Sequence, residues 1–202
     1  KRIKKKFRKI QKYKKIIKFV YQNTPKGTGD AVLKTKKYIK DNYFLMLLPD
    51  DLIIKRNCSK DMITIHNKKK CSVMASMKVN KKTVSRWGIY SKQKNINKNN
   101  FYINDVVEKP NVKSAPSNSA VIGRYILPKR IFKKLNNLKK GKGGEIHITD
   151  AIRKLIIDGE KVIGHTFKGS YLDCGTMEGY IKSSMEIYKI WNFVWSELDM
   201  LD

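Results

Sequence analysis

A chain of 202 residues with 41% hydrophobic side chains is long enough for one domain with a buried core, which excludes wholesale disorder. Its formal net charge of +28 suggests a nucleic-acid partner, yet 38 of the 45 basic residues are lysine and only 7 are arginine, the side chain that base readers use for bidentate contacts. Lys, Asn and Ile are residues of A/T-rich codons, so the charge reads as genome bias on solvated surfaces, with a general attraction to nucleotides and sugar phosphates as the functional alternative.

Ile3, Phe7 and Ile10 share one face of a short basic helix. Ile16 to Gln22 is dense in β-branched and aromatic residues and predicts a strand. A Pro/Gly loop over Thr24–Gly29 leads into a helix through Ala31, Val32 and Lys36. Tyr43 to Leu48 predicts a fully buried strand, which stops at Pro49-Asp50-Asp51. A helix is expected over Ser59–Asn67. Strands follow at Cys71–Val79, Trp87–Lys92, Phe101–Glu108 and Ala120–Leu127, with a polar loop over Lys92–Asn100. Helices are expected at Pro128–Leu138, with proline in the first turn, and at Thr149–Ile157. Val162–Phe167 and Ser170–Leu172 read as short strands, and Thr176–Trp191 as the closing helix. The alternation predicts an α/β fold: a Rossmann-like mixed, mainly parallel sheet flanked by helices, with inserted antiparallel pieces. Residues 1–190 read as one domain and 191–202 as a tail, whose Trp191–Trp195 run is expected to pack on the core, with a contact to a partner subunit as the alternative.

Cys58, Cys71 and Cys174 form no C-x-x-C pair and no disulfide framework, which suits a reducing cytoplasm. His66, His147 and His165 lack zinc-ligand spacing. The longest apolar run, Tyr43–Leu48, is too short to span a bilayer, so no membrane partner is expected. The chain starts at Lys1 and its first acidic residue is Asp30, a start that reads as the middle of a longer protein.

Four segments carry candidate chemistry. In Gln22-Asn-Thr-Pro-Lys-Gly-Thr-Gly-Asp-Ala31, a strand-end glutamine offers a donor and an acceptor, which suits the imide edge of uracil or thymine. Gly27 and Gly29 allow close backbone approach before a helix N-terminus. The spacing is not that of a P-loop. Leu47-Leu-Pro-Asp50-Asp51 puts hard oxygen ligands at the end of a strand, where open α/β sheets place ligands and Mg²⁺ is held with substrate phosphates. In Asp105-Val-Val-Glu108-Lys109-Pro, a carboxylate and an ammonium sit side by side, one for sugar hydroxyls and one for a phosphate. Lys168-Gly-Ser-Tyr-Leu-Asp173-Cys-Gly175 ends a second short strand in Asp-x-Gly, and Asp173 can approach the same metal or simply cap a helix.

In this order and spacing the four segments resemble the bacterial UTP–glucose-1-phosphate uridylyltransferases, within the sugar-nucleotide pyrophosphorylases. Trp87-Gly88, the Ser117-Asn118-Ser-Ala-Val121-Ile-Gly-Arg-Tyr run and Gly144-Glu145-Ile-His-Ile-Thr-Asp150-Ala-Ile add to the match, which covers about Ile16 to Ile187. The resemblance implies that Gln22 reads the uracil and Gly27 gives a backbone contact beside it. It implies sugar contacts at Gly88, Glu108 and Val121, the sugar phosphate on Lys109, and Mg²⁺ on Asp50 and Asp173. The role of Asp51 is less defined, because not all relatives keep an acid there. The substrates implied are UTP and glucose 1-phosphate, with no protein nucleophile, no specific nucleic acid and a homo-oligomeric full-length enzyme.

One departure stands out. The family's Gly-x-Gly-Thr-Arg loop, which embraces the triphosphate, is absent, so the fold is expected to lack the first βα unit. The alternatives are a thymidylyltransferase or another hexose-1-phosphate nucleotidyltransferase, a catalytically dead fragment or regulatory homologue and, from another class, a lysine-rich nucleic-acid-binding protein.

Overall fold

The computed structural model describes residues 11 and 13–199, with side chains other than those of residues 142 and 192–199. The apolar face of Ile3, Phe7 and Ile10 lies outside them. A mixed sheet forms the centre, in the order β1 (Tyr43–Leu47), β6 (Ser119–Pro128), β3 (Ser72–Lys78), β7 (Val162–Thr166), β5 (Asn100–Glu108) and β4 (Gly88–Asn95). Only β3 and β7 are parallel neighbours; the other ladders are antiparallel. Even so, β1, β3, β4 and β7 point one way, and β5 and β6 run against them. A second, two-stranded sheet pairs β2 (Asp51–Ile54) with β8 (Ser170–Asp173).

Alternation sends successive side chains of the central strands into two layers. Met74, Val121, Tyr125 and Leu127 enter the larger core, under α1 (Thr28–Lys34), α3 (Ile131–Asn136) and α4 (Ile148–Ile157). Val73, Ala75, Ile122 and Ile126 face α2 (Cys58–Lys69) in the second core. α4 forms because Ile148, Ala151, Ile152 and Leu155 fall on one face and are all buried. α2 is bounded at its start by the Asn57 side chain, which accepts from Lys60 N at 3.0 Å, and at its end by Lys70, which closes the helix at φ 51°.

Several expectations are corrected. Ile16–Gln22 is not a strand among the described residues. It runs as irregular chain with Ile16, Phe19 and Tyr21 72%, 81% and 82% exposed. β-branched and aromatic composition favours a pleated, half-buried surface, and this segment has no ladder partner here. For the same reason β1 is an edge strand instead of a fully buried one: Leu45 and Leu47 are exposed. Pro128 does not open the next helix but closes β6 opposite Tyr43, and the helix begins at Ile131. β4 continues to Asn95, into the stretch expected to be loop. The closing helix, α5 (Met177–Asp199), runs on past Trp191, whose side chain is 53% exposed, and the side chains of the rest of the Trp191–Trp195 run lie outside those described.

Gly164 of β7 makes room for an aromatic ring. A Cβ there would overlap the Phe101 ring, which itself sits edge-on to Tyr90. Gly164→Ala is therefore expected to destabilise the domain by about 2 kcal/mol, as overpacking of a filled core does. A thermal melt within a degree of the parent would contradict this packing.

Candidate active site

The ladder between β4 and β5 sets Gly88 opposite Glu108. Two segments far apart in sequence, Trp87-Gly88 and Glu108-Lys109-Pro110, therefore lie side by side. A Cβ on residue 88 would stand 3.1 Å from Val121 Cγ2 and 3.2 Å from Glu108 Oε2, so only glycine leaves the floor between them bare. Thr149 Oγ1 donates to Glu108 Oε2 at 2.8 Å and fixes that carboxylate. The Lys109 backbone N–H donates to Trp87 O at 2.9 Å, and Lys109 itself sits at φ 44°. A left-handed, non-glycine residue directly before a proline is strained, and such strain concentrates at functional sites. Gly88, Glu108, Lys109 and Val121 border one cleft of about 210 Å³, together with Asp51, Arg86, Tyr125 and His147.

Gln22 and Gly27 form a neighbouring cluster. Gln22 Nε2 donates to Asp30 Oδ2 at 2.6 Å and to Gly27 O at 3.3 Å. Asp30 is buried and also pairs with Lys34 at 3.7 Å. Gly27 adopts φ 95°, and a Cβ there would meet Ile146 O at 2.7 Å. Gly29 N–H donates to Ile146 O at 2.7 Å, and Ile148 N–H donates to Thr28 Oγ1 at 3.3 Å. These bonds clip the loop onto the start of α4, whose Ile148 and Thr149 border the cleft, as Thr28 does. Gln22 and Gly27 are thus held beside the cleft, one layer from its lining.

The acids come together where the small sheet meets the large one. Asp51 pairs in register with Asp173, and Cys174 N–H donates to Asp50 O at 2.8 Å. Gly175 separates the two outer carboxylates: a Cβ there would lie 2.9 Å from Asp50 Oδ2 and 3.4 Å from Asp173 Oδ1. The Asp51 side chain turns away from them. It accepts from Gly123 N–H at 2.5 Å and from the Tyr171 hydroxyl. Burial raises the Asp51 carboxyl above the usual range, partly opposed by the Tyr171 and Gly123 hydrogen bonds, and also pushes the Tyr171 hydroxyl up. Asp51 therefore ties β2 to β6 and β8. Arg86 Nη2 lies 3.5 Å from Asp173 Oδ2. No group of three or more His, Cys, Asp or Glu among the described residues is arranged to hold a metal ion. Two carboxylates with space between them, one already drawing a cation, are a donor set for Mg²⁺ shared with phosphate oxygens, not for an all-protein cage.

Sequence reasoning missed β2, Arg86 and Thr149. β2 is signalled only by Leu52-Ile53-Ile54. Thr149 reaches Glu108 across 41 positions, which no local pattern reveals.

A mixed α/β sheet with this cleft at its edge is the frame of a nucleotide-binding transferase. The nucleotidyl transferase family model matches residues 1–190, and the chain belongs to that family. Among its curated relatives is the UTP–glucose-1-phosphate uridylyltransferase of Pseudomonas aeruginosa, 39% identical over 85% of this chain and 62% of the relative. A UDP-glucose pyrophosphorylase solved in complex with UDP-glucose superposes with a TM-score of 0.80 at 40% identity, covering 85% of this chain and 66% of that one. A UTP-bound enzyme of the same kind from Acinetobacter baumannii gives a TM-score of 0.73 at 32% identity, covering 92% and 67%. The chain thus spans about three fifths of the curated relative's length.

Proposed function

We propose that this chain forms the sugar-nucleotide site of a UTP–glucose-1-phosphate uridylyltransferase, which makes UDP-glucose and pyrophosphate. The observation that carries the reading is the single cleft shared by Gly88, Glu108, Lys109 and Val121. It is supported by 40% identity to a pyrophosphorylase solved with UDP-glucose. In this reading the glucose ring lies on the bare backbone of Gly88 against Val121. Glu108, aimed by Thr149, accepts from the sugar hydroxyls. Lys109 holds the sugar phosphate, and Gln22 and Gly27 meet the uracil edge. Asp50 and Asp173 hold Mg²⁺, which when bound neutralises phosphate charge.

The reaction is an in-line attack by a glucose 1-phosphate oxygen on the α-phosphorus of UTP. The attacking phosphate is already ionised at neutral pH, so no protein base is required. The chain contributes position and charge, the two means by which phosphoryl and nucleotidyl transfers are accelerated. No helix among the described residues is long and apolar enough to cross a membrane. We take the working protein to be a cytoplasmic homo-oligomer with no specific nucleic-acid partner.

Thr149→Val keeps the shape and removes the donor to Glu108. It is expected to weaken UDP-glucose binding about tenfold, the worth of one hydrogen bond to a charged group at the low end, with little change in melting temperature. Calorimetric titration with UDP-glucose and Mg²⁺ tests both steps. No heat of binding to the parent chain would refute the function, and unchanged affinity in the variant would refute the aiming of Glu108.

A further inference from the structure

Arg86 occupies a position that the assigned roles leave unexplained. It ends the 3-10 turn Lys81–Arg86 and directly precedes Trp87-Gly88, the floor of the sugar cleft. Two cavities open on either side of it. One is the cleft with Gly88, Glu108 and Lys109, and the other runs along β8 and α5 past Asp173, Glu178 and Lys182. Arg86 borders both cavities. Its guanidinium is half-exposed and lies 3.5 Å from Asp173, the carboxylate that faces Asp50 across Gly175.

This sets a conflict of charge. A divalent cation seated between Asp50 and Asp173 would meet the positive guanidinium at close range, and both cannot hold Asp173 at full strength. The long arginine side chain has somewhere to go, because Arg86 also borders the cleft where the phosphate groups of a sugar nucleotide would lie. A planar guanidinium suits phosphate oxygens as well as it suits a carboxylate.

We propose that Arg86 is an exchange cation. It neutralises Asp173 while no metal is bound, and it turns onto the diphosphate of the sugar nucleotide once a divalent cation takes that carboxylate. Metal and nucleotide then strengthen each other's binding, since each favours the same position of one side chain. This rests on the uridylyltransferase reading of the cleft.

The test uses binding alone, without turnover. Free Mn²⁺ is followed by its electron paramagnetic resonance signal in the parent chain, R86Q and R86K, and UDP-glucose affinity is measured by calorimetry with Mn²⁺ present. R86Q removes the competing cation, so Mn²⁺ alone should bind about fivefold more tightly, the upper worth of an exposed ion pair. With Mn²⁺ present, UDP-glucose should bind R86Q about tenfold more weakly, the worth of a charged hydrogen bond. R86K keeps the charge and should return Mn²⁺ affinity toward that of the parent. Tighter Mn²⁺ binding with no loss for UDP-glucose would mean the guanidinium moves elsewhere, to Glu178 for instance, and would overturn the exchange. R86Q equal to the parent in both measurements would overturn it outright. A parent chain that binds neither Mn²⁺ nor UDP-glucose would instead refute the function on which the proposal rests.

Discussion

Asp50→Ala should abolish the metal dependence of nucleotide binding and lower any UDP-glucose turnover about a thousandfold, the scale of losing a transition-state charge partner. The reason lies in the count of ligands. Asp51 is engaged with Gly123 and Tyr171, so it cannot replace its neighbour. Asp173 would then face the metal alone, with Arg86 competing for it at 3.5 Å. Asp50 is exposed and makes no side-chain bond within the fold among those described, so its loss should leave the melting temperature of the ligand-free chain almost unchanged. This combination separates a ligand from a structural acid. If UDP-glucose binds Asp50→Ala with the same response to Mg²⁺ as the parent, the ligand assignment is wrong.

Lys109→Ala should weaken glucose 1-phosphate by about a hundredfold, the upper range for a charge-assisted contact, and change UTP affinity less than twofold. The asymmetry follows from the assigned roles: Lys109 borders the cleft with Glu108 and Gly88 and takes the sugar phosphate, while the uracil edge falls to Gln22 and Gly27. Its backbone bond to Trp87 is independent of the side chain. Alanine keeps the left-handed strain at φ 44° before Pro110, so the variant isolates the ammonium from the backbone. Equal losses for both substrates, measured by calorimetric titration, would contradict the assignment of Lys109 to the sugar phosphate.

The central elements were legible because local rules and tertiary context agree there. β3, with Val73 and Ala75 on one face and Met74 on the other, is buried on both sides and reads as an apolar run. α4 reads clearly because its apolar positions recur at helical spacing. Ile16–Gln22 misled because strand composition reports a demand for neighbours, not their presence, and β1 misled in the same way on its outer edge. Pro128 suits either the first turn of a helix or the end of a strand, and only the pairing with Tyr43 decides. In the candidate site, the Glu-Lys-Pro run, the Asp-Asp pair and Asp-x-Gly were visible as motifs. Their assembly was not: the Gly88–Glu108 register, the Thr149 bond and the Arg86–Asp173 pair all join residues far apart in sequence. Ligand competition at Asp173 became visible only once those segments met.

The most direct test of the central claim is a thermal melt of this chain with Mg²⁺, comparing UDP-glucose, dTDP-glucose, UDP-N-acetylglucosamine and a short RNA. A ligand that binds only the folded state adds about 2.7 kcal/mol of stability at a hundredfold excess over its Kd. The account predicts the largest upward shift with UDP-glucose, lost in Asp50→Ala. A melt raised by RNA alone, with a steep dependence on salt, would contradict it and make the lysine-rich surface the functional feature.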